Sequence, residues 1–227
     1  MPSTCWHLSK AKSKRINNKN ISVSEGTTII EAAKLNGIEI PHLCYLKDIN
    51  EIGACRVCIV EIEGVDKLVA SCNTKVVDGM KIYTNSPKVR QARRVNVELI
   101  LSQHNARCAE CVRSGNCELQ TVANYLGVNE SPYKKDIPEY EWLNEFPLIR
   151  DNEKCIKCMR CVQICSKIQN MNVWDIAKTG SRTTVDCTKN KGITAEHCTI
   201  CGQCITHCPV GALRERDDIW KVREALA

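Results

Sequence analysis

Short apolar runs separated by polar turns dominate the first 85 residues and predict a small α+β unit. Strands are expected at residues 15–16, 21–23, 59–63, 67–70 and 81–83, the first two around a polar turn at residues 17–20. A helix with apolar residues at positions 29, 30, 33 and 35, capped by Thr27 or Thr28, is expected to end at Gly37. The pattern therefore predicts a sheet of four or five strands crossed by one helix.

The apolar period becomes helical after residue 85. Ser86 and Pro87 favour the start of a helix, and its apolar stripe is expected at Val89, Ala92, Val95 and Leu99. A second helix is expected at about 116–126, and a short terminal one at about 217–226. Together with a proline-containing stretch, these patterns predict four segments: residues 1–85, 86–129, a linker at 130–150, and 151–227.

The composition adds one strong signal, because 17 of the 227 residues are cysteine and only one is phenylalanine. Such a chain is expected to need more than apolar burial to fold, and bound metal would supply the additional stabilisation. It shows neither a membrane span nor a secretory signal, so we expect a cytoplasmic location, where thiols bind metal more often than they form disulfides.

The formal charge of +6 does not predict nucleic-acid binding. The iron–sulfur clusters inferred below would carry a net charge of about −7, which would leave the loaded protein near neutral. One predicted helix face, formed by Lys88, Arg90, Arg93 and Arg94, is either a docking surface for an acidic partner or a solvated helix face.

The first cysteine group has the spacing C-x10-C-x2-C-x13-C and consists of Cys44, Cys55, Cys58 and Cys72. Four thiolates in a small β-rich unit favour a 2Fe–2S cluster. Structural zinc is the alternative, although zinc sites usually have two tight knuckles and this group has one.

The second group, H-x3-C-x2-C-x5-C, consists of His104, Cys108, Cys111 and Cys117. A lone histidine is more often a surface or core residue, but here three cysteines lack a fourth partner. An imidazole ligand would give a 4Fe–4S cluster less negative charge and a higher potential.

The third and fourth groups repeat the run C-x2-C-x2-C-x3-C of bacterial two-cluster ferredoxins, in which the fourth cysteine binds the other cluster. One 4Fe–4S cluster is therefore assigned to Cys155, Cys158, Cys161 and Cys208, and the other to Cys198, Cys201, Cys204 and Cys165. The 32 residues between Cys165 and Cys198 indicate a surface insertion. Cys5 and Cys187 are left over and are expected to be free thiols.

With these groups in this order, and with the segments at 25–29, 53–58 and 208–213, the chain resembles the N-terminal iron–sulfur module of FeFe hydrogenases. Over the first two sites it is also similar to the large iron–sulfur subunit of respiratory complex I. The resemblance implies an α+β protein with a β-grasp 2Fe–2S domain, a helical 4Fe–4S segment with one histidine and three cysteine ligands, and a bacterial-type 2×4Fe–4S ferredoxin domain. It also implies that His104 is a ligand.

The same resemblance implies an electron-transfer subunit between a nicotinamide-linked flavoprotein and ferredoxin or a catalytic subunit. Similar subunits without the catalytic domain occur in hetero-oligomeric, flavin-based electron-bifurcating complexes such as transhydrogenases of the Stn family. The sequence stops at Ala227, where a hydrogenase domain would begin, and has no G-x-G-x-x-G loop, so we expect no catalysis by this chain alone. The alternatives are the electron-input fragment of an FeFe hydrogenase and a zinc scaffold that binds protein or nucleic acid.

Overall fold

The computed structural model describes residues 14–134, 137, 142, 146–187 and 197–227. Cys5 and nine residues of the predicted linker, 135–136, 138–141 and 143–145, lie outside these ranges. None of the helices within them combines the length and apolar character that crossing a bilayer requires.

The N-terminal part is a five-stranded mixed sheet with one helix packed on it. The strands are β1 (Lys14–Ile16), β2 (Lys19–Ile21), β3 (Ile59–Ile62), β4 (Val69–Ala70) and β5 (Lys81–Tyr83), in the order β2-β1-β5-β3-β4. Only β1 and β5 pair in parallel. Asn17 and Asn18 have φ values of 47° and 66°, as a two-residue type I′ hairpin requires. The predicted sheet with a crossing helix is confirmed.

Helix α1 (Ile29–Leu35) buries Ile29, Ile30, Ala32 and Ala33 against the sheet. Leu35, which the sequence pattern assigned to the apolar positions of this helix, is instead 72% exposed. The helix ends before Gly37, whose φ of 72° suits a residue without a Cβ.

Two helices, α2 (Pro87–Ser102) and α3 (Glu118–Leu126), follow. The Ser86 hydroxyl caps α2 by accepting from the Val89 amide. The predicted apolar stripe of α2 is wrong in part, because the buried face carries Val89, Arg93 and Val97 while Leu99 is half exposed. Helix α3 ends at Gly127, which adopts the left-handed conformation.

The prediction that Arg93 belongs to an exposed basic face of α2 is also wrong. This side chain is buried and its Nη2 donates to the carbonyl oxygens of Ile59 (2.7 Å) and Thr84 (3.0 Å). Burial lowers the pKa of the Arg93 guanidinium. Arg93 therefore joins α2 to the sheet instead of facing a partner.

The C-terminal part consists of β6 (Leu148–Arg150), α4 (Arg160–Lys167), β7 (Trp174–Ala177), β8 (Thr184–Cys187), α5 (Gln203–Thr206), β9 (Leu213–Glu215) and α6 (Ile219–Leu226). Strand β6 pairs antiparallel with β9, so the end of the segment predicted as a linker joins the last strand. The expected terminal helix is confirmed by α6.

The segment between Cys165 and Cys198 is not a purely surface insertion. Strands β7 and β8 form an antiparallel hairpin whose Trp174, Val185 and Cys187 are buried. These side chains belong to a large apolar cluster that also contains Cys44, Cys161 and other predicted ligands. The candidate sites are therefore built into the main core of the protein.

Candidate metal centres

The four thiols of the first group lie together and are all buried, at the edge of the sheet. Hydrogen bonds from Cys55 and Cys72 hold the pKa of Cys44 well below its usual range, and a hydrogen bond from Cys72 lowers the pKa of Cys58 to about 7. The same contacts raise the pKa values of Cys55 and Cys72. The four sulfurs thus lie within hydrogen-bond reach of one another, Cys44 beside Cys55 and Cys72, and Cys72 beside Cys58.

The loop that carries Cys55 and Cys58 depends on unusual backbone conformations. Gly53 and Arg56 both have positive φ, 69° and 54°. A Cβ on Gly53 would lie 3.2 Å from Asn73 Nδ2 and 3.3 Å from the Ala70 side chain. The loop therefore passes close to the segment at residues 70–73, and a larger residue at position 53 would crowd that segment.

All four residues of the second group line one cavity: His104, Cys108, Cys111 and Cys117. The His104 ring is buried and its Nδ1 lies 3.0 Å from the Lys154 carbonyl oxygen. That contact assigns the ring proton to Nδ1 and the lone pair to Nε2, the tautomer of a histidine ligand. Gly211 forms part of the wall, because a Cβ there would lie 2.6 Å from Cys111 Sγ.

The third group, Cys155, Cys158, Cys161 and Cys208, lines a second, mostly apolar cavity. Burial raises the pKa of each of these thiols, and backbone amides that donate to Cys155, Cys158 and Cys208 oppose the effect. Arg150 lines the same cavity and places a buried positive charge beside it. Cys208, the fourth cysteine of the second run, lines the same cavity as three cysteines of the first run, as the ferredoxin pattern predicts.

The fourth group, Cys165, Cys198, Cys201 and Cys204, lines a third cavity. The amides of Val173 and Ile200 donate to Cys165 Sγ (3.3 Å) and Cys198 Sγ (3.4 Å). Burial raises the pKa of Cys204 to about 11, although a hydrogen bond from the Trp174 side chain opposes it. Cys201 is exposed, so this group reaches the surface of the protein.

The two ferredoxin-like runs share their backbone as well as their spacing. Lys157 and Ile200 occupy equivalent positions and both have positive φ, as do Met159 and Gly202 two residues later. A positive φ is costly for a β-branched residue such as Ile200. The successive reversals form concave loops whose amides point at the sulfurs.

The third group contacts each of the others. Cys155 lines a groove together with Cys55 of the first group. His104 of the second group is bonded to Lys154, the neighbour of Cys155. Trp174 lines both the third and the fourth cavities. The four groups therefore lie next to one another, with the Cys155 group adjoining each of the other three.

Three buried residues that the sequence analysis missed support this arrangement. Arg160 binds Glu118 through two hydrogen bonds of 2.6 and 2.7 Å and reaches the Tyr45 carbonyl oxygen at 3.3 Å. Arg150 and Asn50 are the others. The position of Arg160 inside a cysteine run was a usable signal, whereas nothing in the sequence marks Asn50.

The donor sets suit iron–sulfur clusters better than a single ion. A zinc site needs donors about 2.0–2.3 Å from one point. Over the described ranges, no group of three or more His, Cys, Asp or Glu side chains is placed to hold a single metal ion. The second, third and fourth groups instead line cavities, and polynuclear clusters occupy such spaces between cysteine ligands.

Three family models match consecutive parts of the chain. They are a 2Fe–2S iron–sulfur cluster binding domain (residues 13–87), the iron–sulfur binding region of NADH-ubiquinone oxidoreductase-G (93–132) and the ferredoxin-like domain of NADH-quinone oxidoreductase subunit 3 (147–214). The order of the models agrees with the order of the cysteine groups.

The chain is 44% identical to subunit HndD of the NADP-reducing hydrogenase of Solidesulfovibrio fructosivorans, over 93% of this chain and 37% of that subunit. It is 39% identical to subunit alpha of the NADPH-Fe(3+) oxidoreductase of Geobacter sulfurreducens, over 87% of this chain and 23% of the relative. It is 33% identical to the 75 kDa subunit of the NADH-ubiquinone oxidoreductase of Reclinomonas americana, over 88% and 29%. It thus spans less than two-fifths of each relative.

A solved NAD+-reducing NiFe-hydrogenase in the H2-reduced state has a chain of similar fold, with a TM-score of 0.82 and 28% identity over 91% of this chain and 88% of that one. This chain is therefore an iron–sulfur electron-transfer protein, homologous to subunits of NAD(P)H-linked hydrogenases and oxidoreductases.

Proposed function

We propose that the chain holds four clusters and relays electrons between a nicotinamide-linked flavoprotein and either ferredoxin or a catalytic subunit of a hetero-oligomeric complex. The 2Fe–2S cluster is assigned to Cys44, Cys55, Cys58 and Cys72. The 4Fe–4S clusters are assigned to His104, Cys108, Cys111 and Cys117; to Cys155, Cys158, Cys161 and Cys208; and to Cys165, Cys198, Cys201 and Cys204.

One observation carries the proposal: the Cys155 group adjoins all three other groups. Electron tunnelling falls steeply with distance, so a relay needs neighbouring centres. The clusters supply one-electron redox chemistry when bound. The chain's own residues hold them, exclude water and tune their potentials, through the buried Arg150 charge and the amides that donate to sulfur.

The exposure of the groups supports an entry or exit point at the fourth one. Cys201 is exposed and Ile200 beside it is 52% exposed, whereas the four thiols of the first group are buried. A protein partner such as ferredoxin would approach most closely here. Such thiol-rich sites need a reducing compartment, which fits a cytoplasmic role in an electron-bifurcating complex.

The test is anaerobic isolation, iron and sulfide analysis, and redox-titrated EPR spectroscopy. We expect about 14 iron atoms per chain, from one 2Fe–2S and three 4Fe–4S clusters. Cys55→Ser and Cys158→Ser should remove different EPR signals. A colourless protein that takes up stoichiometric zinc and no iron would overturn the proposal.

The second candidate is the electron-input part of a larger hydrogenase. It is favoured by the 44% identity to a hydrogenase subunit of which the chain spans 37%. Purification of the native assembly distinguishes the two functions, because an electron-transfer subunit co-purifies with flavoprotein subunits at its own length of 227 residues.

A further inference from the structure

We propose that Asn50 is a positioning residue that couples the 2Fe–2S cluster to the central 4Fe–4S cluster. The inference rests on the proposed function, because it takes Cys44 and Cys158 as ligands. It assigns to Asn50 the electronic contact between two sites whose bridged ligands, Cys44 and Cys158, are more than 100 residues apart in sequence.

The Asn50 side chain touches both ligand loops through one atom. Its Nδ2 donates to the carbonyl oxygen of Cys44 at 2.8 Å and to the carbonyl oxygen of Cys158 at 2.9 Å. Both distances are those of good hydrogen bonds. One nitrogen therefore closes a bonded path from one proposed ligand residue to the other.

The orientation of this amide follows from its partners. If its oxygen and nitrogen were exchanged, Oδ1 would face two carbonyl oxygens, and neither could donate to it. The backbone also fixes the side chain, because the amides of Leu46 and Asn50 each bond to the other's carbonyl oxygen, at 3.1 and 2.8 Å. Asn50 has no solvent exposure, so water does not compete for these bonds.

The arrangement leaves Asn50 Oδ1 buried without a hydrogen-bond partner in the described part of the chain. Orphaned buried polar atoms are rare, so each one calls for an explanation. A leucine of similar volume would bury no orphaned oxygen, but it would remove the direct hydrogen-bonded path from Cys44 to Cys158 and the Asn50 donor of the Cys158 carbonyl oxygen. The geometry thus points to the contact between these two ligand residues as the role of this amide.

Other contacts hold the two loops together when Asn50 is changed. Arg160, next but one to Cys158, reaches the carbonyl oxygens of Cys44 (3.4 Å) and Tyr45 (3.3 Å). Cys55 and Cys155 also line a common groove. We therefore expect Asn50→Leu to fold and to load its clusters, which makes the variant a clean test.

The matched control is Asn96→Leu. Asn96 lines the groove that Cys55 and Cys155 share, and its Nδ2 donates to the Arg56 carbonyl oxygen of the same 2Fe–2S loop at 2.7 Å. The control therefore loses an amide hydrogen bond to the first site at the same boundary, without losing a hydrogen bond to the ligand loop of the second.

The experiment uses the full chain with its clusters, measured anaerobically by iron content, by EPR of the reduced protein and by flash-initiated intramolecular electron transfer. In Asn50→Leu we expect unchanged iron, weaker magnetic broadening of the 2Fe–2S signal by the neighbouring cluster, and severalfold slower transfer. Asn96→Leu should match the wild type in all three.

Wild-type broadening and transfer rate in an iron-replete Asn50→Leu protein would overturn the inference. If that variant loses iron, Asn50→Ser is measured in the same way, since its smaller hydroxyl donates to one carbonyl only. Iron loss in both variants would make Asn50 purely structural and also overturn the inference. A wild-type protein without cluster signals would instead overturn the proposed function.

Discussion

Gly211, in the last ferredoxin-like loop, lies directly against Cys111 of the histidine-containing group. A Cβ at position 211 would lie 2.6 Å from Cys111 Sγ, well inside van der Waals contact. The substitution Gly211→Ala should therefore displace this sulfur and weaken cluster binding at that site. We expect loss of about four iron atoms per chain and of one 4Fe–4S EPR signal. The other three signals serve as internal controls, and full iron content would contradict the assignment of Cys111.

His104→Cys tests the imidazole ligand. An added thiolate makes the cluster more negative and should lower its midpoint potential, while the other potentials stay constant. Redox-titrated EPR measures each cluster separately. An unchanged set of 4Fe–4S potentials would exclude His104 as a ligand.

Trp174→Phe tests the hydrogen bond to Cys204. The Trp174 side chain acts as a donor that lowers the pKa of Cys204, and donors to ligand sulfur stabilise the reduced, more negative cluster. Its loss should lower the potential of the fourth-group cluster.

The matched control for that change is Trp142→Phe. Trp142 stacks on Trp174 with ring centroids 5.9 Å apart, but its Nε1 donates to the Leu148 carbonyl oxygen at 3.0 Å. Equal shifts of the midpoint potential in the two variants would show that ring packing, not the contact with the Cys204 sulfur, sets the potential of the fourth-group cluster.

Glu118→Gln tests the ion pair beneath the central group. The Arg160 side chain is 5% exposed, so removal of its counter-charge leaves a buried cation without full compensation. We expect a loss of about 1–3 kcal/mol, toward the lower end because Glu118 is itself half exposed. Glu63→Gln, at the exposed pair with Lys81, should cost much less, because solvent and salt screen that pair. Anaerobic thermal unfolding compares them, and equal losses would contradict the burial argument.

Cys187 provides a test in alkaline solution. It lies outside the four groups, and burial raises its pKa to about 11. Because the folded value exceeds that of the unfolded chain, the contribution of Cys187 to stability is present below pH about 9 and is lost as the pH rises toward 11. Cys187→Ala should remove this decline, so its free energy of unfolding at pH 11 should fall by up to about 2 kcal/mol less than that of the wild type. Identical pH profiles of unfolding for the two proteins would refute this prediction.

The features that the sequence predicted well are local ones. Turn and cap residues such as Asn17, Gly37 and Ser86 depend on a few neighbouring positions, so the predicted hairpin and helix ends agree with the structure. Cysteine spacing is equally local, and the residues assigned to each of the last three sites line one cavity. Cys208 could be paired with the first run because the repeat itself carries that information.

The features that the sequence did not predict depend on distant partners. Arg93 looked like a surface cation because its acceptors, the carbonyl oxygens of Ile59 and Thr84, belong to another element and carry no side-chain signal. Trp174 was assigned to a surface insertion because nothing local shows that the β7–β8 hairpin folds back between two cavities. Asn50 was missed for the same reason.

The packing of cysteine side chains among apolar side chains in the core has a consequence for oxygen damage. Where two sites share a wall, as the third and fourth do at Trp174, oxidative loss of one inorganic centre would expose its neighbour to solvent. Inactivation in air should then proceed as a cascade and not as four independent events.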